Sequence, residues 1–188
     1  VDPGLIVRDE TPADRDAVLD VLAAAFVDEP EVVGLWRELR DVAGTRSLVA
    51  VLDGAVVGHV GLTPGWIDAP DRVVTVRVLS PLSVRPEHQR TGVGGRLVES
   101  VCALADELGS PAVFLEGDPG YYGRHGFLPG REHGFAAPSE RIPGGAFQVR
   151  LLPAYDASVT GALVYPDVFW RHDAVGLRGE DLERFRRR

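Results

Sequence analysis

The chain has 188 residues, of which 45% are apolar and 26% charged, a balance that suits a globular protein with a core of useful size. No apolar run approaches the ~20 residues of a membrane span, and a net charge of −8 argues against nucleic-acid binding by bulk electrostatics. All 20 basic residues are arginine, so P-loop and Schiff-base chemistry, which need a lysine, are excluded. The one cysteine, Cys102, rules out an intrachain disulfide and is expected to pack in a helix. The chain opens Val1-Asp2-Pro3-Gly4, without a basic or apolar leader, and a cytoplasmic location is expected. The basic run Arg184–Arg188 reads as a solvated tail.

Leu5–Val7 reads as a first strand. Thr11-Pro12 is an N-cap followed by proline at the first helical position, and Val18, Leu19, Leu22 and Phe26 continue at helical spacing, which predicts a helix over 12–28. Pro30 ends it, and Val32, Leu35, Trp36 and Leu39 predict a second helix over 31–41. The β-rich run 47–52, the Asp53-Gly54 turn and the run 55–62 predict a hairpin. A further turn at 68–71 leads into a β-rich segment over 73–84, where Pro81 predicts a break or bulge. Residues 91–108 carry the clearest helical pattern, stopped by Gly109. A buried strand at 112–115, a brief helix at 119–125, an extended piece at 127–129 and a late strand at 146–152 follow. The stretches 130–145 and 153–188, rich in Gly, Pro and charge, carry no clear pattern. The order is that of one mixed α/β domain over 1–188, with a core of about 5–152 and a C-terminal extension at 153–188.

The most informative stretch runs from Leu82-Ser83-Val84 through a polar loop to Gln89-Arg90-Thr91-Gly92-Val93-Gly94-Gly95. Free amides at a helix N-terminus, with the helix dipole, favour an anion such as a pyrophosphate, and glycines let the backbone approach it. Gly92-Val93-Gly94 alone could equally be a cap. Two features count against a dinucleotide fingerprint: Leu97 stands where a third glycine or alanine is needed, and a loop separates strand from glycines.

Gln89-Arg90-Thr91-Gly92-Val93-Gly94 resembles the Q/R-x-x-G-x-G/A motif of the GNAT N-acetyltransferase family. The resemblance implies an α/β fold, the acyl-CoA N-acyltransferase fold, with a mixed central sheet splayed at the acetyl-CoA cleft and flanked by helices. It implies that the backbone of Leu82, Ser83 and Val84 pairs with the pantetheine arm. The amides of Gln89, Arg90, Thr91, Gly92, Val93, Gly94 and Gly95 would hold the pyrophosphate. A second segment, Glu116 to Phe127, resembles the family's other signature, a Tyr five residues before the Phe of a Gly-Phe pair; Tyr122 holds that position. Its Gly-Asp-Pro lead-in, and the later Val164-Tyr165-Pro166, resemble the YhbS-like branch, with Asp118 where many relatives outside that branch carry Asn.

Thioester aminolysis needs a neutral amine, a donor for the oxyanion and a proton or hydrogen bond for the departing thiolate. A tyrosine, with a reference pKa of about 10, can serve a thiolate whose acid has one of about 8.5. Tyr122 is the candidate general acid, against a packing role alone. For the general base, Glu116, Asp118, His59, Glu87 and water are open; Glu116 is best placed, and a carboxylate without catalytic role is the competing reading. The resemblance implies acetyl-CoA as co-substrate, and with no metal-ligand pattern present no metal is expected. The expected partner is a small-molecule or peptide amine acceptor, with no nucleic acid and no membrane, and the chain is compatible with a homodimer. A non-catalytic coenzyme A sensor and a phosphate-ligand domain are the competing readings.

Overall fold

The computed structural model describes Asp2 and residues 4–179, so the basic run at 184–188 lies outside the described residues. The elements, in order, are β1 (Ile6–Asp9), α1 (Arg15–Ala25), α2 (Glu31–Leu39), β2 (Arg46–Leu52), β3 (Ala55–Asp68) and β4 (Val73–Val84). Then come α3 (Val93–Glu107), β5 (Ala112–Glu116), α4 (Pro119–Tyr122), β6 (Leu128–Pro129), β7 (Phe135–Ala136), β8 (Phe147–Leu151), β9 (Gly161–Val164) and α5 (Asp167–Arg171). They form two compact units, and the chain passes between them at Thr63/Pro64 within β3, at Val78/Leu79 within β4 and at Leu108/Gly109 after α3.

The first unit holds β1, β2, the first part of β3, the last part of β4, and helices α1, α2 and α3. β1 pairs antiparallel with β2, and β2 with β3, with a register shift between Ala50 and Val51. Of the apolar faces that the helical spacing predicts, Val18 and Leu22 on α1, Leu35, Trp36 and Leu39 on α2, and Val93, Leu97 and Val101 on α3 are buried, while Leu19, Phe26 and Val32 are half-buried and Leu108 is exposed; Val21 and Cys102 join the core beside them. Truncating the fully buried Leu22 to Ala would cost roughly 2–5 kcal/mol by lost burial and residual cavity.

The entry to α1 is a well-satisfied polar knot. The carboxylate of Asp14 accepts from the Thr11 amide at 2.8 Å and the Thr11 hydroxyl at 2.7 Å, and from both ends of the Arg8 fork at 2.7 and 2.9 Å. The Arg8 bonds hold the Asp14 carboxyl well below the usual carboxylate range. This capping box differs from the single helix predicted over 12–28. Pro12–Asp14 is a turn of 3-10 helix, and α1 proper runs only from Arg15 to Ala25.

The second unit holds the last part of β3, the first part of β4, and everything after Leu108. β4 pairs parallel with β5 at Arg77↔Val113 and Val78↔Phe114, and β5 pairs antiparallel with β8 from Ala112↔Leu151 to Glu116↔Phe147. β6 flanks β8, β9 flanks β3, and β7 runs parallel to β9. Phe114 is the centre of its core, stacked on Phe147 at 5.8 Å and edge-on to Phe135 at 4.9 Å.

Three expectations need correction. β4 runs unbroken through Pro81, which follows a cis peptide, so the predicted break does not occur. β3 extends six residues past the predicted end at Leu62, through the all but continuously buried Thr63–Ile67, where apolar and small residues do not alternate with polar ones. The helix predicted over 91–108 spans 93–107, because Arg90 and Gly92 have left-handed φ of 61° and 95°.

Candidate active site

The first predicted set lies wholly in the first unit. Leu82–Val84 end β4, beyond its last residue in register with β5. A 3-10 turn over Pro86–His88 follows, and the Gln89 side-chain amide reaches back to the Val84 carbonyl at 3.1 Å, tying strand end to loop. The Thr91 hydroxyl donates to the His88 carbonyl at 2.7 Å and tightens the next turn. Gly92, at φ 95°, then turns the chain into α3; any residue with a β-carbon would be strained there by about 1–2 kcal/mol.

Within α3 the Arg96 amide donates to the Gly92 carbonyl at 3.1 Å. The amides of Val93, Gly94 and Gly95 precede it and, as in any α-helix, have no acceptor within the helix. No side chain caps them, and the first turn carries no acidic residue. That arrangement favours an external anion, with the positive end of the helix dipole added to the donors. Gln89, Arg90 and Arg96 are exposed at its edge. Sequence analysis predicted this group of residues, and the structure brings Leu82–Val84 and Gln89–Gly95 together.

The second predicted set, Glu116 and Tyr122, lies wholly in the second unit. Asp118 caps α4, its Oδ1 accepting from the Gly120 amide at 2.8 Å, so its carboxylate is engaged in a turn. Tyr122 closes α4 and packs edge-on to Tyr121 at 4.9 Å and Phe127 at 5.7 Å. Its ring lies on Gly117: a β-carbon there would stand 2.4 Å from Tyr122 Cε2, so only glycine leaves the ring its place. Burial, with a smaller contribution from Tyr121, raises the Tyr122 hydroxyl well above the usual tyrosine pKa. The proton is therefore held throughout the neutral range.

Glu116, at the end of β5, is bound to the C-terminal segment. Its Oε2 accepts from the Gly176 amide at 3.0 Å, and it also accepts from the buried Tyr165 hydroxyl. Oε1 is buried and has no partner among the described residues. Burial raises the Glu116 pKa, with the Gly176 and Tyr165 bonds and the charge of Arg141 opposing that shift. Sequence analysis missed Gly176 and Arg141 here; neither position carries a local signal. The other base candidates are held differently. His59 is fully buried in β3 and its pKa falls to about 3, first through burial and then through Arg40, so it is neutral. Glu87 is exposed in the 3-10 turn.

Among the described residues, no group of three or more His, Cys, Asp or Glu could hold a metal ion. No described helix is long and apolar enough to cross a membrane.

Comparison with known proteins gives the same family from sequence and from structure. Residues 7–130 match the family model of the acetyltransferase (GNAT) domain. An uncharacterized N-acetyltransferase of Escherichia coli K12, YjhQ, is 33% identical over 137 residues, which cover 70% of this chain and 74% of that protein. The crystal structure of the GNAT family N-acetyltransferase YhbS from Escherichia coli in complex with CoA superposes with a TM-score of 0.79 at 28% identity, covering 91% of this chain and 96% of that one. A GNAT family acetyltransferase from Brucella melitensis in complex with acetyl-CoA follows at 0.66 and 29%, covering 88% and 97%. The chain, a mixed open sheet flanked by helices, belongs to the GNAT family of N-acetyltransferases and is an acyltransferase.

Proposed function

We propose that this protein transfers an acetyl group from acetyl-coenzyme A to a primary amine by direct attack, with no covalent enzyme intermediate. The observation that carries this is the start of α3: three amides without helical acceptors, a left-handed glycine before them and no acidic residue among them. Complexes of two relatives with CoA and acetyl-CoA support the same ligand here. The amides of residues 89–95 bind the pyrophosphate, Arg90 adds exposed charge, and the backbone of Leu82–Val84 pairs with the pantetheine arm.

In the reaction the amine nitrogen attacks the thioester carbonyl, the carbon–sulfur bond breaks, and the amine gives up a proton. Tyr122 donates from its hydroxyl to the departing sulfur. Because its pKa is raised, the hydroxyl acts first as a hydrogen-bond donor to the developing thiolate, and full proton transfer follows only as charge accumulates there. Glu116 is the candidate base through Oε1, since Oε2 is occupied; burial makes it a stronger base than an ordinary carboxylate. The acceptor is a small-molecule or peptide amine, and the setting is the cytoplasm.

The competing reading is a non-catalytic coenzyme A sensor on the same fold. A tyrosine held protonated on a glycine made for its ring favours the enzyme, because a sensor needs no donor for a leaving group. A screen of amine acceptors, read by thiol release from acetyl-coenzyme A, decides between them. Acceptor-dependent thiol release is expected; tight coenzyme A binding with no release from any amine leaves the sensor.

A further inference from the structure

The first unit contains a cavity of about 200 Å³ that the reaction proposed above does not use. The exposed Asp9 and Arg15 line it, together with Glu10, Trp36, Arg40 and Thr45. All of these residues belong to the ends of β1 and α2, the start of α1 and the approach to β2.

Residues that line it carry a surplus of buried donors. Trp36 Nε1, Arg40 Nε and Nη2, and Thr45 Oγ1 are all buried without a partner among the described residues. The three nitrogens can only donate. His59, 4.5 Å from Trp36 between ring centres, is likewise buried with both ring nitrogens unpartnered, and is neutral. The Arg40 guanidinium also lies over the Trp36 ring at 5.9 Å, which compensates charge but satisfies no N–H.

Neither nearby acid fills these donors. Asp9 pairs with Arg46 at 2.7 Å, and Glu10 accepts from the Ser47 hydroxyl at 2.5 Å while standing 4.0 Å from His59 Nε2, too far for a hydrogen bond. The contrast with Asp14, whose carboxylate takes four donors a few residues away, is direct. Buried donors in folded proteins are almost always met by a partner.

The chemistry of the surplus specifies the partner. Nε–H and Nη2–H project in parallel from one edge of the guanidinium, the fork that takes both oxygens of a carboxylate. Asp9 and Glu10 line the same cavity and offset the charges of Arg15 and Arg46, which leaves Arg40 as the single net cation and suits a single carboxylate better than a dianion such as phosphate. We propose that this cavity binds a small carboxylate, held by the Nε/Nη2 edge of Arg40 with Trp36 Nε1 and Thr45 Oγ1 as further donors. The carboxylate belongs either to the amine acceptor itself or to a separate effector.

The test is a titration of the whole chain with sodium acetate, sodium succinate and inorganic phosphate at constant ionic strength. It is read by Tm and by the indole N–H resonance of Trp36, assigned through Trp36→Phe. Acetate is expected to raise Tm saturably and shift that resonance, with the dianions succinate and phosphate at least several-fold weaker. Arg40→Gln should weaken the carboxylate 10-fold or more, and Arg40→Lys, which keeps the charge and loses the fork, by nearly as much. If Arg40→Gln does not fold, Thr45→Val serves, with a several-fold loss expected. Gly92→Glu should bind the carboxylate as the wild type does, so failure of the coenzyme A site and failure of this one are told apart. No saturable response to acetate, or wild-type binding in both Arg40 variants, overturns the proposal and leaves a cavity that holds water only. The last arm supplies glycine and β-alanine with acetyl-coenzyme A. Acetylation lost in Arg40→Gln identifies the acceptor's own carboxylate, and binding of acetate without any such acetylation identifies an effector; either result upholds the site.

Discussion

The segments 82–97 and 116–127 carry the two motifs of the proposed reaction, and they are built on opposite terms. The first works through backbone. Its geometry comes from two left-handed residues, and its side chains mostly tie the loop together. The second works through side chains that burial has changed: a tyrosine whose hydroxyl holds its proton more tightly than usual and a glutamate made more basic. A backbone site tolerates side-chain variation and is sensitive to glycine. A side-chain site is sensitive to whatever packs on it.

That comparison is tested most severely at Gly92. Gly92→Glu adds a strained φ and a negative charge beside the free amides of α3, and coenzyme A affinity by calorimetry should fall roughly 100-fold or more. Gly92→Ala, which adds the strain alone, should cost about 1–2 kcal/mol of stability with a much smaller loss of affinity. Equal affinity in Gly92→Glu and the wild type would show that the pyrophosphate lies elsewhere.

Tyr122→Phe probes the other segment. The ring and its packing remain, so coenzyme A affinity should stay within about twofold while kcat drops on the order of 100-fold. A wild-type kcat with chemistry rate-limiting would remove Tyr122 from the reaction. Gly117→Ala asks whether position matters as much as the hydroxyl. The new β-carbon would meet Tyr122 Cε2 at 2.4 Å and must push the ring, so kcat should fall roughly 10-fold with Tyr122 intact. Additive losses in the double variant with Tyr122→Phe would show that Gly117 acts some other way.

How much of this was legible in the sequence follows from the same division. Glycines at a helix start report a backbone requirement directly, so Gly92-Val93-Gly94 marked the left-handed turn into α3 from local order alone. The periodicity of α1, α2 and α3 was equally direct, because an apolar stripe is written into local order. The ends were less legible: Asp14 turns the start of α1 into a 3-10 capping box through the distant fork of Arg8, and β4 passes through Pro81 without a break. What lay furthest from view depends on residues far apart in the chain. Glu116 meets Gly176, and His59 meets Trp36 and Arg40, through the fold alone. Residues 130–145 and 153–179, without a clear pattern, still supply β7, β9 and α5, short elements whose partners rather than whose composition define them.

Glu116 gives the smallest effect and the sharpest discrimination. Its carboxyl has a raised pKa in the folded chain, so the folded state binds the proton more tightly than the unfolded one. The sign follows: ionisation of Glu116 costs stability as pH rises from the unfolded glutamate value of about 4.3 through the higher folded value. Glu116→Gln keeps an acceptor for the Gly176 amide and the Tyr165 hydroxyl and removes the ionisation. Its stability relative to the wild type should therefore be lower or equal at acid pH and improve by up to about 1 kcal/mol above that window, measured by urea denaturation. As a base, Glu116 must also give kcat an acidic limb at its raised pKa, and the variant should lose that limb along with several-fold in rate. A variant that changes the stability profile but leaves the pH dependence of kcat untouched makes Glu116 a tie to the C-terminal segment and passes deprotonation of the amine to water.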